Sequence, residues 1–245
     1  MICLIDGDVI LYRSAYANEN EEDFNKVKEY IYTLLFEILI NNSTDSYIAY
    51  LTGPNNFRYS IPRDNSYKST RTKEKPKWFY EVKKFLISEL GFYLTERIEA
   101  DDALIISNKK RDNGIICTND KDLLQVPGNF YNITKKNSFK LEPAEAYTNF
   151  WKQMLMGDVS DNVKCIYGIG PKGAEKILKG LDESSMRHRV FGIYVDKFGE
   201  YEGIIKFYEN YRMLRLLDTY EDFNEPEVIK IDTLKPIESY VRKNV

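Results

Sequence analysis

Apolar residues along this chain switch between two periods. Met1–Ile5 is an unbroken apolar start that reads as a buried strand, closed by Asp6-Gly7-Asp8, and Val9–Tyr16 then reads as a short helix. Over Glu21–Asn41 the period is helical: Val27, Tyr30, Ile31, Leu34, Leu35, Ile38 and Leu39 fall on one face. Ser46–Leu51 is a second buried strand, and Thr52–Asn56 is a turn. Pro76 opens a helix whose apolar face is Trp78, Phe79, Val82, Phe85, Leu86 and Leu90, and Gly91 closes it. Phe92–Leu94 is strand-like, Ala100–Lys110 helical and Gly114–Cys117 a strand, with further strands at Asn129–Ile133 and Phe139–Leu141. From Pro143 the pattern is helical, first to Met156 and later over Glu183–Tyr220; Asn224–Val245 is a charged tail with one strand-like run at Val228–Ile231. Alternating strands and helices followed by helices alone predict an α/β fold with a mostly parallel sheet at residues 1–141 and a helical domain at 142–245.

The polar residues that interrupt this pattern are disproportionately acidic, and they sit where strands end. Asp6 ends the first strand, and parallel sheets place ligands at that edge. Asp8 suits the N-cap of the following helix. Glu99-Ala100-Asp101-Asp102 opens a helix, where the free N–H groups and the macrodipole favour carboxylates for structural reasons alone. Asp120 and Asp122 follow a strand, and Asp158 and Asp161 follow the helix that ends at Met156. Between Arg58 and Lys84 the balance reverses, with nine Lys and Arg against three Asp and Glu. Lys68 and Arg71 are spaced so that a helix would put them on one face, and Tyr67 beside them is suited to stacking on a base. Gly168-Ile169-Gly170-Pro171-Lys172 then leads into a helix, a helix-hairpin-helix signature whose N-terminal amides can approach a phosphate.

Composition narrows the chemistry. Net charge is −3, so the basic and acidic zones are segregated rather than summed into a basic protein. His188 is the only histidine, which leaves histidine-based catalysis poorly supplied. Cys3, Cys117 and Cys165 are widely spaced and read as reduced thiols of a cytoplasmic protein. The N-terminus lacks a signal-peptide pattern and no apolar run approaches a membrane span, so no membrane partner is expected. Many carboxylates cannot share one pocket ionised without cations, and hard ions such as Mg²⁺ or Mn²⁺ prefer carboxylate oxygen. Two such ions about 4 Å apart, beside a phosphate-gripping surface, describe a two-metal phosphodiesterase.

Five stretches carry a resemblance. They are Ile5–Arg13, Phe57-Arg58 with Tyr67–Arg71, Glu99–Asp102, Thr118–Gln125, and Gly157–Val163 with Gly168–Ala174. In this order and spacing, across residues 1–180, the chain resembles the 5′-nuclease superfamily of flap endonucleases, bacteriophage 5′–3′ exonucleases and the 5′-nuclease domain of bacterial repair DNA polymerase. The resemblance implies a PIN-like sheet with a helical arch around residues 57–77, and a helical DNA-binding domain with the hairpin motif at about 157–180. It implies metal ligation by Asp6, Glu99, Asp101, Asp102, Asp120, Asp122, Asp158 and Asp161, with Lys68, Arg71 and Asp120 as the catalytic residues. Its DNA contacts correspond to Arg13, Arg58, Tyr67, Lys68, Arg71, Gly168, Gly170 and Lys172. It also implies two Mg²⁺ or Mn²⁺ ions, with potassium as the monovalent ion that hairpin carbonyls near Val163–Gly170 often hold in this family. The expected activity is a 5′–3′ exonuclease and flap endonuclease, acting as a monomer on DNA 5′ ends, flaps and nicks or on RNA–DNA hybrids in phage-type replication, with 5′-phosphate products.

One departure stands out. The family usually ends its second strand with an aspartate, whereas here Leu51-Thr52-Gly53 carries no acid, and Asp8 is the candidate replacement. The missing acid motivates one alternative, a catalytically weakened module that binds branched DNA; a second alternative, independent of it, is a related PIN-type ribonuclease for single-stranded RNA. The hairpin motif, suited to a duplex backbone, argues against the second.

Overall fold

The computed structural model describes residues 1–64 and 66–231. Its centre is β1 (Ile2–Asp6), flanked in parallel by β2 (Ser46–Leu51) and β4 (Gly114–Thr118). β3 (Tyr93–Leu94) extends the sheet beyond β2 and β5 (Gly128–Asn132) beyond β4, both parallel. The antiparallel strand β6 (Asn137–Leu141) forms the far edge, giving the order β3-β2-β1-β4-β5-β6. β1 shows why a continuous apolar run is needed. Cys3 and Ile5 enter one core, Leu4 enters the other, and all three are fully buried. The first core is covered by α1 (Gly7–Ala17), α2 (Phe24–Asn41) and α3 (Phe79–Ser88), and the second by α4 (Ala100–Lys109). This is the expected α/β layer.

α5 (Pro143–Met156) leads into the helical domain, built with α6 (Pro171–Leu178), α7 (Glu183–Phe198) and α8 (Glu200–Leu214) around Phe150, Trp151, Met154, Tyr194 and Phe207. No helix among the described residues is long and apolar enough to cross a membrane.

Four expectations change. The α1 N-cap is Asp6, which accepts from the Val9 amide, and Asp8 lies inside the first turn instead. Gly7 permits this sharp entry, because a Cβ there would meet the Tyr50 carbonyl oxygen at 2.3 Å. The described residues among 57–77 form no helical arch. They hold only a 3-10 turn at Phe57–Ser60 and further turns, and Lys68 has φ +55°. Pro62 and Pro76 bracket a segment of polar and charged residues in which Tyr67 is the only large apolar side chain, too little to give a helix an apolar face. The helices after Glu183 stop at Leu214 rather than Tyr220. Finally, the helical domain does not keep the chain beyond α8. Leu216, Leu217, Tyr220, Phe223 and Val228 return to the second sheet core, and β7 (Ile229–Lys230) pairs antiparallel with β2. The strand-like run expected at 228–231 is therefore part of the sheet, and the tail from 232 lies outside the described residues.

Candidate metal and phosphate site

The C-terminal ends of β1, β2 and β4 and the N-terminus of α4 meet at one sheet edge. Thr118, the last residue of β4, ties two acids together there. Its hydroxyl donates to Asp6 Oδ2 at 2.7 Å and accepts from the Asp120 amide at 2.9 Å. Asp120 Oδ1 accepts from the Asp122 amide at 2.8 Å, and Gln153 of α5 donates to Asp122 Oδ1 at 3.0 Å. At the end of β2, Thr52 takes the position where the acid is missing. Its hydroxyl accepts from the Ala100 amide at 3.0 Å, and its own amide faces both Asp8 carboxylate oxygens at 3.3 Å. Thr52, Thr118 and Gln153 escape a search of the sequence for charge, although Thr118 lies within the Thr118–Gln125 stretch already singled out.

Like charges crowd this part of the array. Burial and the Asp8 carboxylate push Asp6 up to about 7. Burial and the carboxylates of Asp6, Asp120, Glu99 and Asp8 hold Asp101 well above the usual carboxylate range. Asp122 is raised to about 7 by burial, Asp120 and Asp158. Asp158 behaves differently. Burial pushes it up, but Ser160, the Asp161 amide and Lys121 outweigh that and leave it lowered. Only its Oδ1 is used by those hydrogen bonds; Oδ2 is buried with no hydrogen-bond partner, and Lys121 stands 3.8 Å away.

The remaining acids are compensated by the chain itself. Lys68 Nζ contacts Glu99 directly and lies 3.8 Å from Asp161. Arg71 pairs with Asp161 at 2.6 Å, and the Tyr67 hydroxyl donates to Asp161 at 2.9 Å and to Glu99 at 3.1 Å. Burial disfavours the charged form of Lys68 and Arg71, but Glu99 and Asp161 outweigh it and hold both above their ordinary values. Lys68 and Arg71 thus converge on one carboxylate, Asp161, through a turn anchored by the Lys68 amide on the Asp161 carbonyl at 2.9 Å rather than through the helix that their spacing suits.

Three expected roles are corrected. Tyr67 is not free to stack on a base: it is 4% exposed, packs edge-on against Tyr59 and spends its hydroxyl on two carboxylates. Arg58 is not a DNA contact, being 1% exposed and locked in a bidentate pair with Asp102 at 2.6 and 2.8 Å. Asp102 is not a metal ligand, because that pair and the amides of Glu99 and Leu217 fill its acceptor sites. Breaking a buried pair of this kind by removing one partner costs about 3–5 kcal/mol.

The other expected residues lie at the rim or in the helical domain. Arg13, on α1, is held by the Tyr30 hydroxyl at 3.2 Å and the Ile133 carbonyl at 3.3 Å. Gly168 has φ +88°, which a side chain would strain, and Gly170 caps α6; a Cβ at either would meet open space. Lys172, in the first turn of α6, is exposed.

Among the described residues no three acidic, histidine or cysteine side chains already close into a finished ligand cage. The donor set nevertheless fits a hard divalent cation: it is all oxygen, crowded to the point of raised pKa, and includes the orphaned Asp158 Oδ2.

Comparison with known proteins gives a consistent picture. The family described as 5′-3′ exonuclease, N-terminal resolvase-like domain, matches residues 1–151. A 5′-3′ exonuclease of Mycoplasmopsis pulmonis is 32% identical over 200 residues, covering 73% of this chain and 66% of that relative. One from Buchnera aphidicola is 31% identical over 204 residues, covering 73% and 69%. The chain therefore spans about two thirds of the length of these relatives. Among solved structures, a bacteriophage T5 flap endonuclease in a pseudo-enzyme-product complex with DNA and metal ions superposes with a TM-score of 0.64 at 17% identity, covering 89% of this chain and 88% of that one.

Proposed function

The chain belongs to the 5′–3′ exonuclease family of the 5′-nuclease superfamily, and from that membership we propose a divalent-metal-dependent nuclease that hydrolyses phosphodiester bonds at DNA 5′ ends, nicks and flaps. The observation that carries this reading is the run of carboxylates that form no ion pair among the described residues, Asp6, Asp101, Asp120 and Asp122, at the ligand edge of the sheet. Asp6, Asp101 and Asp120, with Glu99 beside them, form one place for Mg²⁺ or Mn²⁺. Asp120, Asp122, Asp158 and Asp161 form a second. When bound, the ions supply Lewis-acid stabilisation of the transferring phosphoryl group and activation of water. The chain's own residues do the rest. Lys68 and Arg71, now counter-charges for Glu99 and Asp161, turn to the scissile phosphate once cations satisfy those acids. The open approach at Gly168 and Gly170, with Lys172 and a monovalent ion such as potassium, suits a duplex backbone, and Arg13 adds a phosphate contact at the rim. RNA–DNA hybrids are a second substrate class, consistent with primer removal in phage-type replication.

Thr52 at the end of β2 favours one rival, a catalytically weakened branched-DNA-binding module. A single assay separates the two. A 5′-labelled flapped duplex is incubated with and without Mg²⁺, and the products are tested for a 5′-phosphate by ligation. Mg²⁺-dependent release of 5′-phosphate products is expected. Cleavage that persists in EDTA sinks the metal reading, and substrate retained intact by excess protein in Mg²⁺ favours the binding module.

A further inference from the structure

The Arg58–Asp102 pair takes no part in the chemistry proposed above, yet it is the most completely bonded polar group beside the array. A carboxylate offers about four acceptor sites. Asp102 uses all of them: Arg58 Nη1 and Nη2 at 2.6 and 2.8 Å, the Glu99 amide at 3.0 Å and the Leu217 amide at 2.8 Å. Arg58 in turn donates to the carbonyls of Met213 and Arg215, both at 3.0 Å, and its guanidinium lies over the Phe57 ring. The donors and acceptors come from three parts of the chain: the turn after β2, the first turn of α4 and the segment that leaves α8. Asp102 stands at 0% exposure, so neither a phosphate nor a hydrated ion reaches it.

We infer that Arg58 and Asp102 are positioning residues for the metal carboxylates, fastening the first turn of α4, which carries Glu99 and Asp101, to Met213–Leu217 at the exit of the helical domain. The direct bond from the Glu99 amide to Asp102 makes the connection mechanical: the backbone of Glu99 sits where Asp102 holds it. Met213–Leu217 is thereby part of the support of the site, although it contributes no acid to it. The metal-affinity arm of the test below rests on the metal reading given above; the melting arm does not.

The test is a double-mutant cycle on the full chain. Arg58→Met leaves a buried carboxylate without its partner, Asp102→Asn leaves a buried guanidinium so, and the double variant leaves neither. Melting temperature is measured in EDTA, and Mn²⁺ affinity by calorimetry without DNA. Each single variant is expected to melt lower and to bind Mn²⁺ about tenfold more weakly, the scale of losing an outer partner of a metal ligand. The double variant is expected to regain melting temperature, because no buried charge is left unpaired, while Mn²⁺ binding stays about tenfold weaker than in the parent, because the fastening is gone. If Asp102 were a ligand, Arg58→Met would free its carboxylate and bind Mn²⁺ at least as tightly as the parent, with only Asp102→Asn weakened. If Arg58 contacted DNA, Arg58→Met would weaken flap binding with Mn²⁺ affinity unchanged. Either result overturns the inference. Should both single variants fail to fold, the double variant still decides it: weak Mn²⁺ affinity in the folded double variant supports the inference and parental affinity overturns it. A parent that binds no Mn²⁺ sinks the metal reading alone, and recovery of melting temperature then judges the pair.

Discussion

Glu99 and Asp161 on one side of the array, and Asp6, Asp101 and Asp122 on the other, are the same chemistry in two electrostatic conditions. On the first side every charge has an answer within the chain: Lys68, Arg71, the Tyr67 hydroxyl and, 3.6 Å from Glu99, Arg58. On the second side none of Asp6, Asp101 or Asp122 forms an ion pair with a described lysine or arginine, and all three hold protons more tightly than ordinary carboxylates. The lesson concerns where a cation gains most. A site already neutralised by lysine offers an ion only an exchange of partners, whereas a crowded, partly protonated site gives up protons to gain a charge it lacks. On the proposed metal reading, the uncompensated side is therefore the place for the first ion. On the same reading, the compensated side is where Lys68 and Arg71 hold the places of cations in the metal-free chain.

The largest effect should come from breaking the link that joins the uncompensated acids to one another. Asp120 is the neighbour common to Asp6 and Asp101 on one flank and Asp122 on the other. Asp120→Asn is expected to cut Mg²⁺-dependent flap cleavage by about a hundred- to thousandfold, the scale of losing one electrostatic stabiliser of a transition state. Single-turnover rates at saturating protein would show it, and an unaltered rate would remove Asp120 from the site.

A medium effect should appear in the metal-free protein. Asp122 has a folded pKa of about 7, above its unfolded value of about 3.9. Between those two values the native state binds more protons than the unfolded one, so this group's contribution falls as pH rises and the penalty is complete above about pH 7. Asp122→Asn removes the group. In EDTA it should melt roughly 5 °C above the parent at pH 8 and level with it at pH 4. Mg²⁺ should erase the difference at pH 8 by stabilising the parent. A variant that is less stable than the parent at pH 8 would show that Asp122 is compensated after all.

The smallest effect tests the compensated side and carries the opposite sign. Lys68→Met removes the counter-charge of Glu99 while keeping the stem, so in EDTA it should lower the melting temperature by about 2–4 °C. Saturating Mg²⁺ should recover most of that loss, because an ion then answers Glu99. A loss that Mg²⁺ leaves unchanged would mean that Lys68 is a packing residue only.

Much of this was legible in the linear chain. The 3.6-residue period of Val27 to Leu39 and the apolar runs of β1, β2 and β4 fixed helices and strands where they are found, and the acids at strand ends pointed to one sheet edge. The turn at Tyr67–Arg71 was not legible as a turn, because charge spacing of three residues suits a helix equally well. The return of Leu216–Lys230 to the sheet was hidden for a related reason: a short strand in a charged tail has no strong period of its own and is stabilised by β2.

By itself the sequence determined the inventory: which residues are acidic, in what order, on which kinds of element, and that the end of β2 carries a threonine where an acid is expected. Only the tertiary structure decided how those acids divide. Arg58 meets Asp102 across 44 residues, Lys68 meets Glu99 across 31 and Arg71 meets Asp161 across 90. Charge on a residue is set by its side chain, but whether that charge is answered depends on burial and on partners brought together from distant parts of the chain. Local pattern cannot encode that, and it is the difference between Asp102 as a fastening and Asp101 as a candidate metal ligand.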